Sequence, residues 1–179
     1  LVRETEEAKQ LLDNLLLWSK RQLGGMRLHI EVLELAQAMQ FIVTETKNAA
    51  LRKNIDFKME IPQGLKVLAD VEMLQIIVRN LLSNALKFSN EGDTVTLSVE
   101  ELETAILLQV IDTGVGMDEQ LQSAIFSLDI SPRYGTNAEK GVGLGLVVSQ
   151  DLARAQGVDL HFQSKKDEGT TFLLKLRRA

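Results

Sequence analysis

Apolar residues recur along this chain with two alternating periods. Ala8, Leu11, Leu12, Leu15, Trp18 and Gln22 follow the i, i+3, i+4, i+7 spacing of a helical stripe, and Gly24-Gly25 supplies a stop. Residues 1–22 are therefore expected to form one helix. Its stripe fits an ordinary core helix, or one paired with the following domain or with a second chain. From Met26 the period becomes two. Met26, Leu28 and Ile30 alternate with Arg27, His29 and Glu31, which predicts a short strand. Leu35, Met39, Ile42, Thr46, Ala49 and Ala50 return to helical spacing as far as about Asn54. Ile55, Phe57, Met59 and Ile61 alternate again, and Pro62 ends that strand. Val67-Leu68-Ala69 is a short apolar run, and Asp70 suits the N-cap of a helix from Val71 to about Ser89. Strands follow around 94–100 and 105–111, then a short helix over 118–126 and a long loop over 127–142. A helix from about Leu144 to Ala155 leads into a hairpin of Val158–Ser164 and Thr170–Arg177. Three helices and five or six strands in mixed order predict an α+β fold. The expected form is a two-layer α/β sandwich, a mixed sheet with helices on one face, preceded by the long first helix.

Length and composition narrow the class. The 179 residues suit one α/β domain with an extra element, and 45% hydrophobic with 25% charged residues is a globular composition. Twenty basic against 25 acidic side chains give a net charge of −5, which argues against bulk binding to nucleic acid or to an anionic membrane. A local basic pocket for a small phosphate ligand remains compatible with it. The absence of cysteine removes thiol chemistry and cysteine-based metal centres, and two histidines cannot build a histidine-rich one. No apolar stretch approaches the roughly 18 residues of a membrane span. The charged start Leu1-Val2-Arg3-Glu4 is unlike a signal peptide and lacks an initiator Met, so the chain is expected to be a piece of a longer, cytoplasmic protein.

Three segments carry candidate chemistry. On a helical wheel Asn80, Asn84 and Lys87 form one strip beside the core stripe of Leu74, Ile77, Val78, Leu81 and Ala85. Carboxamide oxygens are hard ligands suited to Mg²⁺ and an ammonium suits phosphate, although a polar helix flank uses the same residues. Asp112-Thr113-Gly114-Val115-Gly116 follows a strand. It offers a carboxylate anchor and backbone free to approach a planar ligand, although ordinary strand-to-loop turns use Asp and Gly too. Gly141-Val142-Gly143-Leu144-Gly145-Leu146 ends the long loop and opens a helix, where backbone N–H groups can cradle phosphate. It lacks the strand and the spacing of a dinucleotide fingerprint, and no P-loop motif exists in the chain.

The order of these segments is more specific than any one of them. An asparagine helix, DxGxG, a long loop, GxGLGL and then Gly169-Thr170-Thr171-Phe172 resemble the catalytic ATP-binding domain of sensor histidine kinases, a branch of the Bergerat-type ATPases. Val78–Asn90 (VRNLLSNALKFSN) is especially similar, and the resemblance covers residues 26–179. It implies that Asn84 is the main side-chain ligand of Mg²⁺, that Asn80 lines the triphosphate or metal site, and that Lys87 contacts phosphate. Phe88 stands where the family packs an aromatic beside the nucleotide. Asp112 is implied to accept the adenine amino group, with Gly114 and Gly116 shaping the adenine wall. Phe126 is implied to open an ATP lid over 127–142. Gly141, Gly143 and Gly145, with Leu144 among them, are implied to hinge that lid and meet the phosphates. Arg133 and Lys140 fit lid cations for the γ-phosphate and solvated loop charges equally well, and either Thr170 or Thr171 could reach adenine through water.

The resemblance also implies partners. Residues 1–25 resemble the end of the second helix of a dimerisation hairpin, which would carry the acceptor histidine upstream. Neither His29 nor His161 has the acidic neighbour and downstream proline of the family's acceptor. The expected activity is transfer of the γ-phosphoryl of Mg-ATP to a histidine outside this chain. The expected parent is a homodimer, itself in the membrane or not, that passes the phosphoryl group to a response regulator. Related ATPases carry a water-activating glutamate one turn before the metal asparagine, and here that position is Asn80. The segment after Phe126 lacks the family's frequent second aromatic, which leaves open a regulatory module that binds nucleotide without transferring phosphate.

Overall fold

Strand alternation and two long amphipathic helices give this chain an open-faced sandwich. The computed structural model describes residues 28–126, 135–137 and 144–179. The expected first helix and most of the long loop lie outside the described residues. In chain order the elements are β1 (Glu31–Glu34), α1 (Leu35–Arg52), β2 (Asp56–Glu60), β3 (Lys66–Ala69), α2 (Val71–Phe88), β4 (Thr94–Glu101), β5 (Ala105–Asp112), α3 (Glu119–Ala124), α4 (Leu144–Ala155), β6 (Asp159–Lys165) and β7 (Gly169–Arg178). The sheet runs β1-β3-β7-β5-β4-β2, with β6 also paired to β7. The β2–β4 pair is parallel and the other pairs are antiparallel, so the sheet is mixed, as the order of elements predicted.

Period-two alternation decides what each sheet face carries. Val95 and Leu97 of β4, Ile106, Leu108 and Val110 of β5, and Phe172, Leu174 and Leu176 of β7 are buried against the helices. Their neighbours Thr96, Gln109, Ile111, Thr171 and Leu173 are only half-buried on the other face. The central helix α2 buries Met73, Leu74, Ile77, Val78, Leu81, Leu82 and Ala85, and α1 packs beside it through Leu35, Met39, Ile42 and Val43. Burying one such side chain contributes about 1.5–3 kcal/mol, so this layer sets the orientation of α2 and of whatever its margin displays.

Two expectations need correction. The first strand is Glu31–Glu34, and residues 28–30 are not strand. Its partner β3 ends at Ala69, opposite Glu31. Beyond that point the His29 N–H turns to the Asp70 carboxylate, 3.0 Å away, rather than to a strand. Asp70 also caps α2 by accepting from Met73 N, as its position before the helix predicted. The described residues hold seven strands, against the five or six expected, and four helices, of which α3 answers to the short helix expected over 118–126. The short run at Val67–Ala69 is a full strand, because β1 and β7 supply its two neighbours.

Candidate functional site

Asp112 is the last residue of β5 and continues the inward series Ile106, Leu108, Val110. The pleat therefore sends its carboxylate into the helix layer, where it is 6% exposed. Oδ1 accepts from Gly114 N at 3.0 Å and from Thr170 N at 3.2 Å. Oδ2 has no hydrogen bond among the described residues. Burial raises the carboxyl from 3.8 to about 6. The two backbone N–H groups lower it in part, and the nearby charge of Asp93 raises it.

The glycines after it are required by close backbone contact. A Cβ on Gly114 would collide with the backbone carbonyl of Phe88, and one on Gly116 with that of Lys165. Gly116 also has φ +60, in the left-handed region. The loop after Asp112 is thus wedged between the end of α2 and the β6–β7 turn. Thr170 faces the same side as Asp112, its partner across the β5–β7 ladder, and its hydroxyl lies 2.9 Å from that of Ser164. Thr171 pairs with Ile111 on the opposite face. The register thereby separates two threonines that the sequence left equivalent.

The strip on α2 divides into two environments. Asn80 is 4% exposed, and its amide donates to Gly145 O and Ser149 Oγ of α4, both at 3.2 Å. It ties α2 to the first turns of α4, a clamp for which Ser149 had no sequence signal. Asn84 and Lys87 are half-buried further along the strip. The Asn84 carboxamide has no hydrogen bond among the described residues, which leaves its oxygen available to a ligand. The Lys87 ammonium lies 5.2 Å from the centre of the Phe88 ring. Phe126 packs edge-on to Phe162, with centroids 5.7 Å apart, and Phe162 meets Phe172 at 6.1 Å. Leu144 and Gly145 open α4, half-buried, whereas Arg133, Lys140, Gly141 and Gly143 lie outside the described residues.

Among the described residues no group of three or more His, Cys, Asp or Glu could hold a metal ion. The carboxamide oxygen of Asn84 is a hard, neutral donor, and phosphate and water would supply the other ligands of an ion held there. That is the manner in which Mg²⁺ is bound beside nucleotides. The donor set fits.

A two-layer nucleotide-binding domain is the class this geometry defines. Residues 69–179 match the family described as "Histidine kinase-, DNA gyrase B-, and HSP90-like ATPase", and the chain belongs to that family. The signal transduction histidine-protein kinase BarA of Escherichia coli K12 is 29% identical over 184 residues, covering 95% of this chain and 19% of BarA. The sensor histidine kinase Hik2 of Thermosynechococcus vestitus is 32% identical over 147 residues, covering 80% of this chain and 38% of Hik2. The chain thus spans well under half the length of these relatives. The nucleotide-free catalytic domain of the histidine kinase ThkA has the same fold, with a TM-score of 0.73 at 22% identity over 84% of this chain and 96% of that one. Within its family the chain is a catalytic ATP-binding domain of the histidine kinase kind.

Proposed function

We propose that this chain binds Mg-ATP between α2, the loop after Asp112 and the start of α4, and transfers the γ-phosphoryl group to a histidine elsewhere in a two-component sensor kinase. The observation that carries the reading is the buried carboxylate of Asp112. One oxygen is fixed by two backbone N–H groups and the other has no partner among the described residues. An adenine amino group would donate to that free oxygen, whereas guanine would present a carbonyl there. Gly114 and Gly116 form the adenine wall, and Thr170, beside Asp112, is the threonine placed to reach adenine through water.

At the other end of the nucleotide Lys87 contacts phosphate, and Asn84 would hold Mg²⁺ through its carboxamide oxygen. Bound there, the ion would offset triphosphate charge. Asn80 acts by fixing α4 against α2, so that the backbone of Gly141, Gly143 and Gly145 meets the phosphates. Phe88 packs beside the nucleotide, and Arg133 and Lys140 serve the γ-phosphate. Catalysis of this kind rests on positioning and electrostatics, and Asn80, standing where related ATPases carry a glutamate, cannot serve as a general base.

Residues 1–25 are read as the end of the dimerisation hairpin and 26–179 as the catalytic domain. The parent is a homodimer acting from the cytoplasm on a response regulator, and binds neither nucleic acid nor membrane through this segment. Incubation with labelled ATP tests the whole reading. Label is expected on a supplied acceptor hairpin of the parent and not on the chain alone. Acid-labile label on the isolated chain, lost on replacing His29 or His161, would overturn it, as would equal affinity for ATP and GTP.

A further inference from the structure

The last turn of α2 is held by more donors than a helix end ordinarily finds. The final carbonyls of a helix have no intrahelical partner. Here they are taken by three segments far apart in sequence. The Lys53 ammonium, just past α1, donates to Leu86 O at 2.8 Å and to Lys87 O at 3.0 Å. Val115 N, two residues into the loop after Thr113, donates to Phe88 O at 3.0 Å. Thr136 donates its N–H to Lys87 O at 3.1 Å, and its hydroxyl to Ser89 O at 2.7 Å and Lys87 O at 3.3 Å. Lys53 is only 8% exposed. A lysine is rarely buried so far without strong compensation, which the negative end of the helix dipole and two carbonyls provide.

We propose that Lys53 and Thr136 are positioning residues for the nucleotide site, acting through the end of α2. This rests on the ATP-binding reading given above. Neither side chain needs to touch nucleotide. Both donate to the carbonyl of Lys87, the residue whose ammonium faces phosphate. The next carbonyl, of Phe88, receives Val115 and lies in contact with Gly114, where no Cβ fits. A shift of the α2 end therefore moves Lys87 directly, and moves Asp112 through Gly114, whose N–H is bound to the Asp112 carboxylate. Lys53 fixes that end from the helix layer, and Thr136 from the segment between Phe126 and α4. Adenine anchor and phosphate contact are thus set by one backbone element.

The test uses Lys53→Met, Lys53→Arg, Thr136→Val and the double variant Lys53→Met/Thr136→Val. Lys53→Met is expected to speed amide exchange at Val115 and Thr136 far more than at Ile42 or Leu108 in the core. It is expected to weaken Mg-ATP binding about tenfold, as a small misplacement of site groups does, with Lys53→Arg restoring most of the loss. Thr136→Val removes one half-buried hydroxyl and keeps the test open if Lys53→Met does not fold. It is expected to weaken Mg-ATP binding and to raise exchange at Val115. In the double variant the two losses of affinity should not multiply, because the Lys53 ammonium and the Thr136 hydroxyl hold the same end of α2, at the carbonyls of Leu86, Lys87 and Ser89. Uniformly faster exchange with unaltered Mg-ATP affinity would reduce both residues to general stabilisers and overturn the proposal, as would independent losses. A wild type that binds no Mg-ATP at all overturns the nucleotide reading itself, whereas a binding wild type with indifferent variants overturns the positioning roles alone.

Discussion

Replacing Asp112 by Asn should make the free domain more stable and the nucleotide complex weaker. The side chain is 6% exposed, and its carboxyl is raised from 3.8 to about 6, chiefly by burial. The folded state therefore holds this proton more tightly than the unfolded chain does. The stability contributed by the protonated form is full below pH 3.8 and is lost as pH rises through about 6. Raising the carboxyl from 3.8 to about 6 corresponds to roughly 3 kcal/mol of destabilisation above pH 6, at about 1.36 kcal/mol per pH unit. Asn keeps the volume, and its Oδ1 can still accept from Gly114 N and Thr170 N. It removes the buried charge and directs an amide N–H where Oδ2 stood. Urea unfolding of both proteins from pH 4 to pH 8 should show the variant gaining on the wild type across that range, by up to about 3 kcal/mol at pH 8. Calorimetric titration at pH 8 should show the reverse for ATP. Loss of one hydrogen bond to a charged group, about 1.5–3 kcal/mol, lowers affinity by ~10- to 150-fold. A variant no more stable than the wild type at pH 8 would refute the burial argument. Unaltered ATP affinity would refute Asp112 as the adenine acceptor.

Three further outcomes follow from the same geometry. Wild-type ATP affinity should fall below pH 6, approaching tenfold per unit, as Asp112 protonates and ceases to accept; titrations at pH 5 and pH 7.5 check this, and Asp112→Asn should lack the dependence. Asn84→Ala should keep the fold, since the carboxamide has no hydrogen bond among the described residues, and should abolish the part of ATP affinity that depends on added Mg²⁺, read by titration with and without the ion. Gly114→Ala should destabilise the domain by about 1–3 kcal/mol in chemical denaturation, because its Cβ meets the unyielding carbonyl of Phe88, and should weaken ATP binding in whatever remains folded.

The local elements were legible because they depend on short-range periodicity. The spacing of Leu74, Ile77, Val78 and Leu81 marks α2, Asp70 marks its start, and the predicted bounds of α4 are those observed. Asp112, Gly114 and Gly116 could be picked out because the order of motifs along the chain survives without a structure. Where β1 sits could not be read, because residues 28–30 and 31–34 share a period and only the end of β3 chooses between them. Thr170 and Thr171 are equally good acceptors and donors as sequence, and the β5–β7 register alone puts one beside Asp112 and the other on the far face. The placement of Asn80 against Ser149 spans 69 residues, and that of Lys53 against Leu86 spans 33. Such pairs leave no periodic trace. Lys53 reads as one more charged residue past the end of a helix, and Thr136 as one polar residue of a loop. Side-chain type at close spacing was enough to mark most of the segments that become helix or strand, and to single out the residues whose chemistry suits a nucleotide. Which partners those residues hold came from the packing of α1, α2, α4 and the sheet, because a hydrogen bond between distant segments forms once donor and acceptor are brought to within about 3 Å of one another.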